Sequence, residues 1–139
     1  MSSSHITIQF GSTDISIRKQ TPNIRKKGKS LLELPDDYTV IDIETTGLDA
    51  YYDDIIEIGC IRYRNNAPTE QFHTFLRPCQ FFNEDGSAYY IDDFITDLTG
   101  ITDEMVKDAP AFKDVAPKLI EFLGDDILVG HNINFDINF

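Results

Sequence analysis

The sequence predicts an α/β fold built on a mixed β-sheet. Three observations predict it. Three segments rich in β-branched and aromatic residues follow one another with only short turns between them. A long segment with helically spaced apolar residues comes next, and a short apolar strand follows that helix. Strands joined by short turns pair as an antiparallel meander, and a strand reached through a helix is free to join the same sheet in parallel.

Taken in order, residues 5–19, "HITIQFGSTDISIRK", alternate apolar and polar at Ile6, Ile8, Phe10, Ile15 and Ile17, with "GSTD" as the turn of a small hairpin. A lone hairpin is marginal in water and needs something to pack on. Residues 20–30, "QTPNIRKKGKS", are polar, basic and broken by Pro22 and Gly28; they read as a linker or arm, or simply as a solvated tail. Residues 1–34 are therefore expected to be an N-terminal extension, and 35–139 the front portion of a larger domain.

The body opens with "YTVIDIE", a strand ended by Gly47. "IIEIGCIRYR" is the second strand, "NNAP" a turn, and "EQFHTFLRP" the third. "DDFITDLTG" reads as a short helix stopped at Gly100, and "TDEMVKD" as a turn N-capped by Thr102. "PAFKDVAPKLIEFLG" carries Phe112, Val115, Ala116, Leu119, Ile120 and Leu123 at helical spacing, stops at Gly124 and holds a potential kink at Pro117. "DILVG" is then a short buried strand. Ile133 and Ile137, four apart, are the start of another helix. One long helix leaves a face of a four-stranded sheet poorly covered, so the chain is expected to be C-terminally incomplete.

Composition bounds the function. The formal charge is −12, from 12 Lys+Arg and 24 Asp+Glu. Residues 1–35 hold six of the basic side chains and only Asp14 and Glu33, hence +4; the remaining 104 residues hold six basic and 22 acidic, hence −16. Such a body repels phosphate at long range, which argues against a standalone high-affinity duplex binder but not against an enzyme whose carboxylates are neutralised by divalent metals. No stretch approaches the roughly 20 apolar residues of a membrane span. "MSSSHITIQF" has no charged segment followed by a long apolar one, so no secretory signal is expected. Cys60 and Cys79 have no metal-type spacing, so reduced thiols and a cytoplasmic setting are expected.

The chemistry is concentrated in "VIDIETTGL". Residues two apart in a strand share a face, so Asp42 and Glu44 point the same way with Cα atoms about 6.5–7 Å apart. Burying a carboxylate costs several kcal/mol unless it is paired or metal-bound. Two adjacent carboxylates repel unless a cation sits between them, and oxygen ligands suit Mg²⁺ and Mn²⁺. The plain alternative is an edge strand with a solvated polar face. Against it stands "LVGHNINFD", which places His131, Asn132 and Asp136 just beyond another strand, where α/β folds gather functional groups. Taken alone, His131 is better read as a structural histidine, and Asp136 is equally well a carboxylate at a helix start.

"DIETTGL", followed 92 residues after Glu44 by the aspartate of "HNINFD", resembles the first two motifs of the DEDD superfamily of 3′→5′ exonucleases, more the DNA polymerase III proofreading and PolC type than oligoribonuclease. "IIEIGCIRYRN" and "LTGITDEMVKDAPAF" resemble the intervening segments, and the likeness runs from about Pro35 to the end. The resemblance implies an RNase H-like fold with Asp42, Glu44 and Asp136 as catalytic residues holding two Mg²⁺ or Mn²⁺ ions. It further implies that Thr45, Thr46, Gly47 and Leu48 receive the terminal nucleotide, that Thr99, Gly100 and Ile101 form a second contact, and that His131, Asn132 and Phe135 line the wall. Plain core packing is the alternative for Leu48, Ile101 and Phe135. The implied partners are a single-stranded or frayed 3′ end of DNA and a DNA polymerase. The family's third motif, with a general base and a fourth acid, has no counterpart in these 139 residues, so a truncated form of low activity is expected. Two other readings remain: a degenerate exonuclease fold kept as a scaffold, and an exoribonuclease.

Overall fold

The computed structural model describes the backbone of residues 6–10 and 13–17, Gly28, and residues 33–139. Strands β1 (Ile6–Phe10) and β2 (Thr13–Ile17) pair antiparallel, with Ile6 opposite Ile17 and Phe10 opposite Thr13. Thr13 and Asp14, expected in the turn, lie in β2. Apart from Gly28, the basic segment 20–30 falls outside the described residues.

The main sheet has the order β5-β4-β3-β8. Strands β3 (Tyr38–Thr45), β4 (Ile55–Arg64) and β5 (Ala67–Phe75) form the antiparallel meander. β4 turns into β5 at Asn65 and Asn66, both at positive φ (50° and 60°), which asparagine tolerates best among side-chain-bearing residues and which suits a two-residue hairpin loop. β5 therefore starts earlier than expected and leaves Leu76–Pro78 outside it. A hairpin that the sequence did not announce follows: β6 (Phe81–Phe82) with β7 (Ala88–Tyr89).

Helix α1 (Asp93–Thr99) is capped by the Asp92 side chain, which accepts from the Ile95 N–H, and ends at Gly100 with φ 77°. In α2 (Asp103–Val106) Thr102 occupies the N-cap position but makes no side-chain cap bond. Asp103 instead reaches back to the N–H groups of Tyr90 and Ile91, at 3.0 and 2.8 Å. Helix α3 (Phe112–Leu123) runs through Pro117 as one element. Val115 and Leu119 face inward, but Phe112 and Ile120 are exposed, so the apolar stripe buries only part of its width. Strand β8 (Leu128–Val129) joins β3 in parallel, with Thr39 opposite Leu128, and is half-buried rather than buried. Helix α4 (Ile133–Asp136) follows.

Two cores result. Ile41, Ile43, Ile58 and Cys60 of the sheet pack against Val115 and Leu119 of α3. Ile56 holds Ile91, Ile95, Ile101 and Val106, and so fixes α1 and α2. Each such side chain contributes about 1.5–3 kcal/mol on full burial. The face of β3 turned away from α3 carries Asp42 and Glu44. No helix among the described residues is long and apolar enough to cross a membrane.

Candidate active site

Strand alternation puts Ile41 and Ile43 in the core and Asp42 and Glu44 on the opposite face, as the period of two requires. Asp42 is exposed and Glu44 half-buried, so the expected burial of both acids is corrected for Asp42. The register explains the difference. Opposite Asp42 stands Gly59, which has no side chain to cover it, whereas opposite Glu44 stands Glu57. Like charges directly across a ladder destabilise it. Glu57 is in turn bonded to His73, with Nε2 and Oε1 2.6 Å apart. A bulge between Glu44 and Thr45 ends the regular pairing and re-aims the chain beside the acids.

Asp136 arrives from the other edge of β3. Beyond Val40–Val129 the parallel pairing stops. Gly130 lets the chain pass close over β3: a Cβ there would lie 2.7 Å from the Ile41 carbonyl oxygen. Asn132, at φ 54°, turns the chain into α4. The Ile43 N–H, which has lost a strand partner on this edge, donates to Asp136 Oδ1 at 3.1 Å. Asp136 is 8% exposed and lies in the single turn of α4, so the helix-start account of it holds beside its bond to the Ile43 N–H.

These three acids share one electrostatic environment. Burial, then Asp42, Glu57 and Asp136, push the Glu44 carboxyl above its ordinary value. Burial also raises Asp136 against the Ile43 N–H, with Asp42 adding to the rise and His131 opposing it. Among the described residues no ion pair reaches Asp42, Glu44 or Asp136. In this conformation no three acid, histidine or cysteine side chains among them close into a finished ligand cage. The donor chemistry nonetheless fits a hard divalent cation: the set is all oxygen, uncompensated in charge, and open on the Asp42 side.

The loop after β3 is built from its own side chains. The Thr45 hydroxyl donates to the Gly47 carbonyl at 2.5 Å. The Thr46 N–H is committed to the Asp54 carbonyl, and its hydroxyl accepts from the Asp54 N–H. Asp53 packs against Gly47, where a Cβ would stand 2.4 Å from its carboxylate, and accepts from the Asp49 N–H. Leu48 is 87% exposed, which removes the core-packing account of it. Ile101, at 2% exposure, is core. Thr99 ends α1, its hydroxyl donating to the Ile95 carbonyl and accepting from the Ile101 N–H; Gly100 supplies the positive φ. His131 and Asn132 are exposed. Phe135 packs on Phe139 at 5.0 Å and against the first core. The sequence reading missed Glu57, His73 and Asp53. Only the alternation of "IIEIG" opposite "DIE" carried a signal for Glu57.

A model of the exonuclease family matches residues 39–139, the span that holds the sheet, the three acids and the loop. The chain belongs to the exonuclease family. The PolC-type DNA polymerase III of Caldanaerobacter subterraneus subsp. tengcongensis is 44% identical over 112 residues, 81% of this chain and 7% of that protein. Its counterpart in Bacillus subtilis is 43% identical over 102 residues, 73% of this chain and 6% of that protein. The exonuclease chain thus spans well under a tenth of these relatives. The structure of E. coli exonuclease I with a dA16 oligonucleotide superposes with a TM-score of 0.60 at 16% identity, covering 75% of this chain and 22% of that one. That likeness establishes the RNase H-like exonuclease fold with its mixed sheet.

Proposed function

We propose that this exonuclease hydrolyses nucleotides from the 3′ end of single-stranded or frayed DNA, with Asp42, Glu44 and Asp136 holding Mg²⁺ or Mn²⁺, two ions in the complete site. The observation that carries the reading is the acid trio itself. Carboxylates from β3 and α4 converge on one open face of a family fold, where burial and one another's charge raise Glu44 and Asp136 above their ordinary values. Such an arrangement costs stability, and a nucleic-acid hydrolase has a use for it. DNA, rather than RNA, is supported by the PolC-type relatives and by the exonuclease I neighbour with its dA16 oligonucleotide. A DNA polymerase is the partner that the relatives suggest.

Divalent cations bound there would activate water and stabilise the leaving 3′ oxygen. The protein's own residues do the positioning. The Asp136 carboxylate is fixed by the Ile43 N–H, so one oxygen stays committed to β3 while the other remains available. Gly59 keeps the floor beside Asp42 clear of side chains. The Thr45–Leu48 loop is held by Asp53 and Asp54, which leaves the Leu48 side chain free to press on a terminal base.

The test is melting temperature with and without Mn²⁺, beside release of nucleotides from a 3′-hydroxyl DNA oligonucleotide. Mn²⁺ is expected to raise the melting temperature of the wild type and not that of Asp42→Asn with Glu44→Gln. Equal shifts in both proteins would overturn the metal assignment. Release from RNA but not from DNA would overturn the substrate.

A further inference from the structure

The β6–β7 hairpin takes no part in the acid site, yet its aromatic side chains open onto the loop beside it. A cavity of about 190 Å³ lies between them, lined by Thr46, Asp53, Phe81, Tyr89, Tyr90 and Asp92. Thr46 is two residues from Glu44. Phe81 and Tyr89 are cross-strand partners and stack with centroids 5.6 Å apart and planes 28° from parallel.

The hairpin is constructed to hold them still. The Asn83 N–H donates to the Ser87 carbonyl and the Gly86 N–H to the Asn83 carbonyl, both at 2.9 Å, and the Ser87 N–H donates to Asp85 at 2.8 Å. Beyond β7, Asp103 pins the N–H groups of Tyr90 and Ile91. Two-stranded hairpins this short are not self-supporting, so the tie to α2 and the turn bonds are what fix the rings. Even so, Phe81 stays 41% exposed and Phe82 69%. Aromatic rings held in place beside a cavity offer faces on which a planar group can stack.

We propose that this cavity receives an unpaired base of the substrate strand, stacked on the Phe81–Tyr89 wall. The inference rests on the nucleic-acid reading above. Three features select a base. The wall is flat, and every base has a face to stack on it. The cavity is the size of one heterocycle. Asp53 and Asp92 repel phosphate, so the backbone stays outside; Asp53 is held by Thr46 and Asp49, and the Asp92 oxygen not used in capping α1 accepts from a base N–H group. The cavity adjoins the loop next to the acids, so the base it holds belongs to the strand whose end is being cut.

The probe is a short single-stranded DNA with a free 3′-hydroxyl and a fluorophore at its 5′ end. Its affinity for the full chain is measured by anisotropy in Ca²⁺. A second series carries one abasic residue at each terminal position in turn. Phe81→Ala and Tyr89→Ala are expected to weaken binding about tenfold each, and Phe81→Tyr and Tyr89→Phe to stay within about twofold of wild type. At one position the abasic residue is expected to weaken wild type about tenfold and leave Phe81→Ala unaffected. If wild type binds but no abasic position couples to Phe81, the inference fails and the exonuclease reading stands. If wild type binds no DNA at all, both fail.

Discussion

Asp126 and Asp136 stand ten residues apart, and both reach back to β3. Asp126 accepts from the Thr39 hydroxyl at 2.6 Å; Asp136 accepts from the Ile43 N–H at 3.1 Å. There the likeness ends. Asp126 takes both oxygens to Arg64 at 2.8 and 2.9 Å and lies 3.4 Å from Arg62. Arg62 also covers the Phe122 ring and bonds Glu70 and the Phe122 carbonyl. The Thr39 hydroxyl and Arg64 hold the Asp126 carboxyl below its ordinary value. Asp136 meets carboxylates instead of guanidinium groups, and burial lifts it. One end of β3 thus holds a compensated carboxylate that reaches it from outside the strand, and the other end a cluster of like charges. Removing one partner of a compensated pair strands the other charge, whereas removing one of several like charges relieves repulsion.

The sharpest way to break this contrast is Asp136→Asn. The amide oxygen still accepts from Ile43, and one like charge is gone. Melting temperature without metal is expected to hold or rise. Stabilisation by Mn²⁺ is expected to vanish, and nucleotide release wherever measurable to fall at least about 10³-fold. A loss of metal-free stability would place Asp136 with Asp126 as a structural acid.

Asp126→Ala should do the reverse. It leaves Arg64 without its carboxylate and is expected to cost about 1–2 kcal/mol in urea unfolding, between a surface pair and a buried one because Arg64 is partly in solvent. The shift caused by Mn²⁺ should survive. Loss of that shift would mean that the two ends of β3 are coupled.

Gly130→Ala separates the two anchors by backbone alone. Its Cβ would stand 2.7 Å from the Ile41 carbonyl oxygen, and backbone cannot give as a side-chain tip can. The chain between β8 and α4 must lift, which moves Asp136 while Asp126, before β8, stays. The expected cost is about 2 kcal/mol, as for overpacking, with weaker response to Mn²⁺. Unchanged stability with unchanged metal response would show that α4 needs no such close passage.

What was legible in the sequence follows the same division between local and distant. Alternation placed Asp42 and Glu44 on one face, because the strand period is a property of neighbours. Gly100 marked the end of α1 because the left-handed turn is local too. The partner of Asp136 was not legible: Ile43 is 93 residues away, and its N–H is free only because β8 is short. Asp126 read merely as the start of a strand, since Arg64 approaches it from β4. The β6–β7 hairpin escaped because two-residue strands carry no alternation, although "NEDGS" held its turn chemistry. Thr102 read as a cap, but Asp103 beside it took the distant N–H groups and left the hydroxyl unused.

The smallest expected effect is in pH. Asp126 has a folded pKa below its usual 3.8, so it binds fewer protons folded than unfolded near that value. Its contribution is present above pH 3.8 and is lost as pH falls through the lower folded value. Asp126→Asn keeps the shape and removes the titration. Wild type should therefore exceed Asp126→Asn in urea stability at neutral pH, and the gap should close as pH is taken below about 4. A gap that stays constant down to acid pH would mean that Asp126 works by hydrogen bonding to Thr39 rather than by charge. The contrast between the two ends of β3 would then be one of packing, and the strain on Asp136 would have no electrostatic counterpart at Asp126.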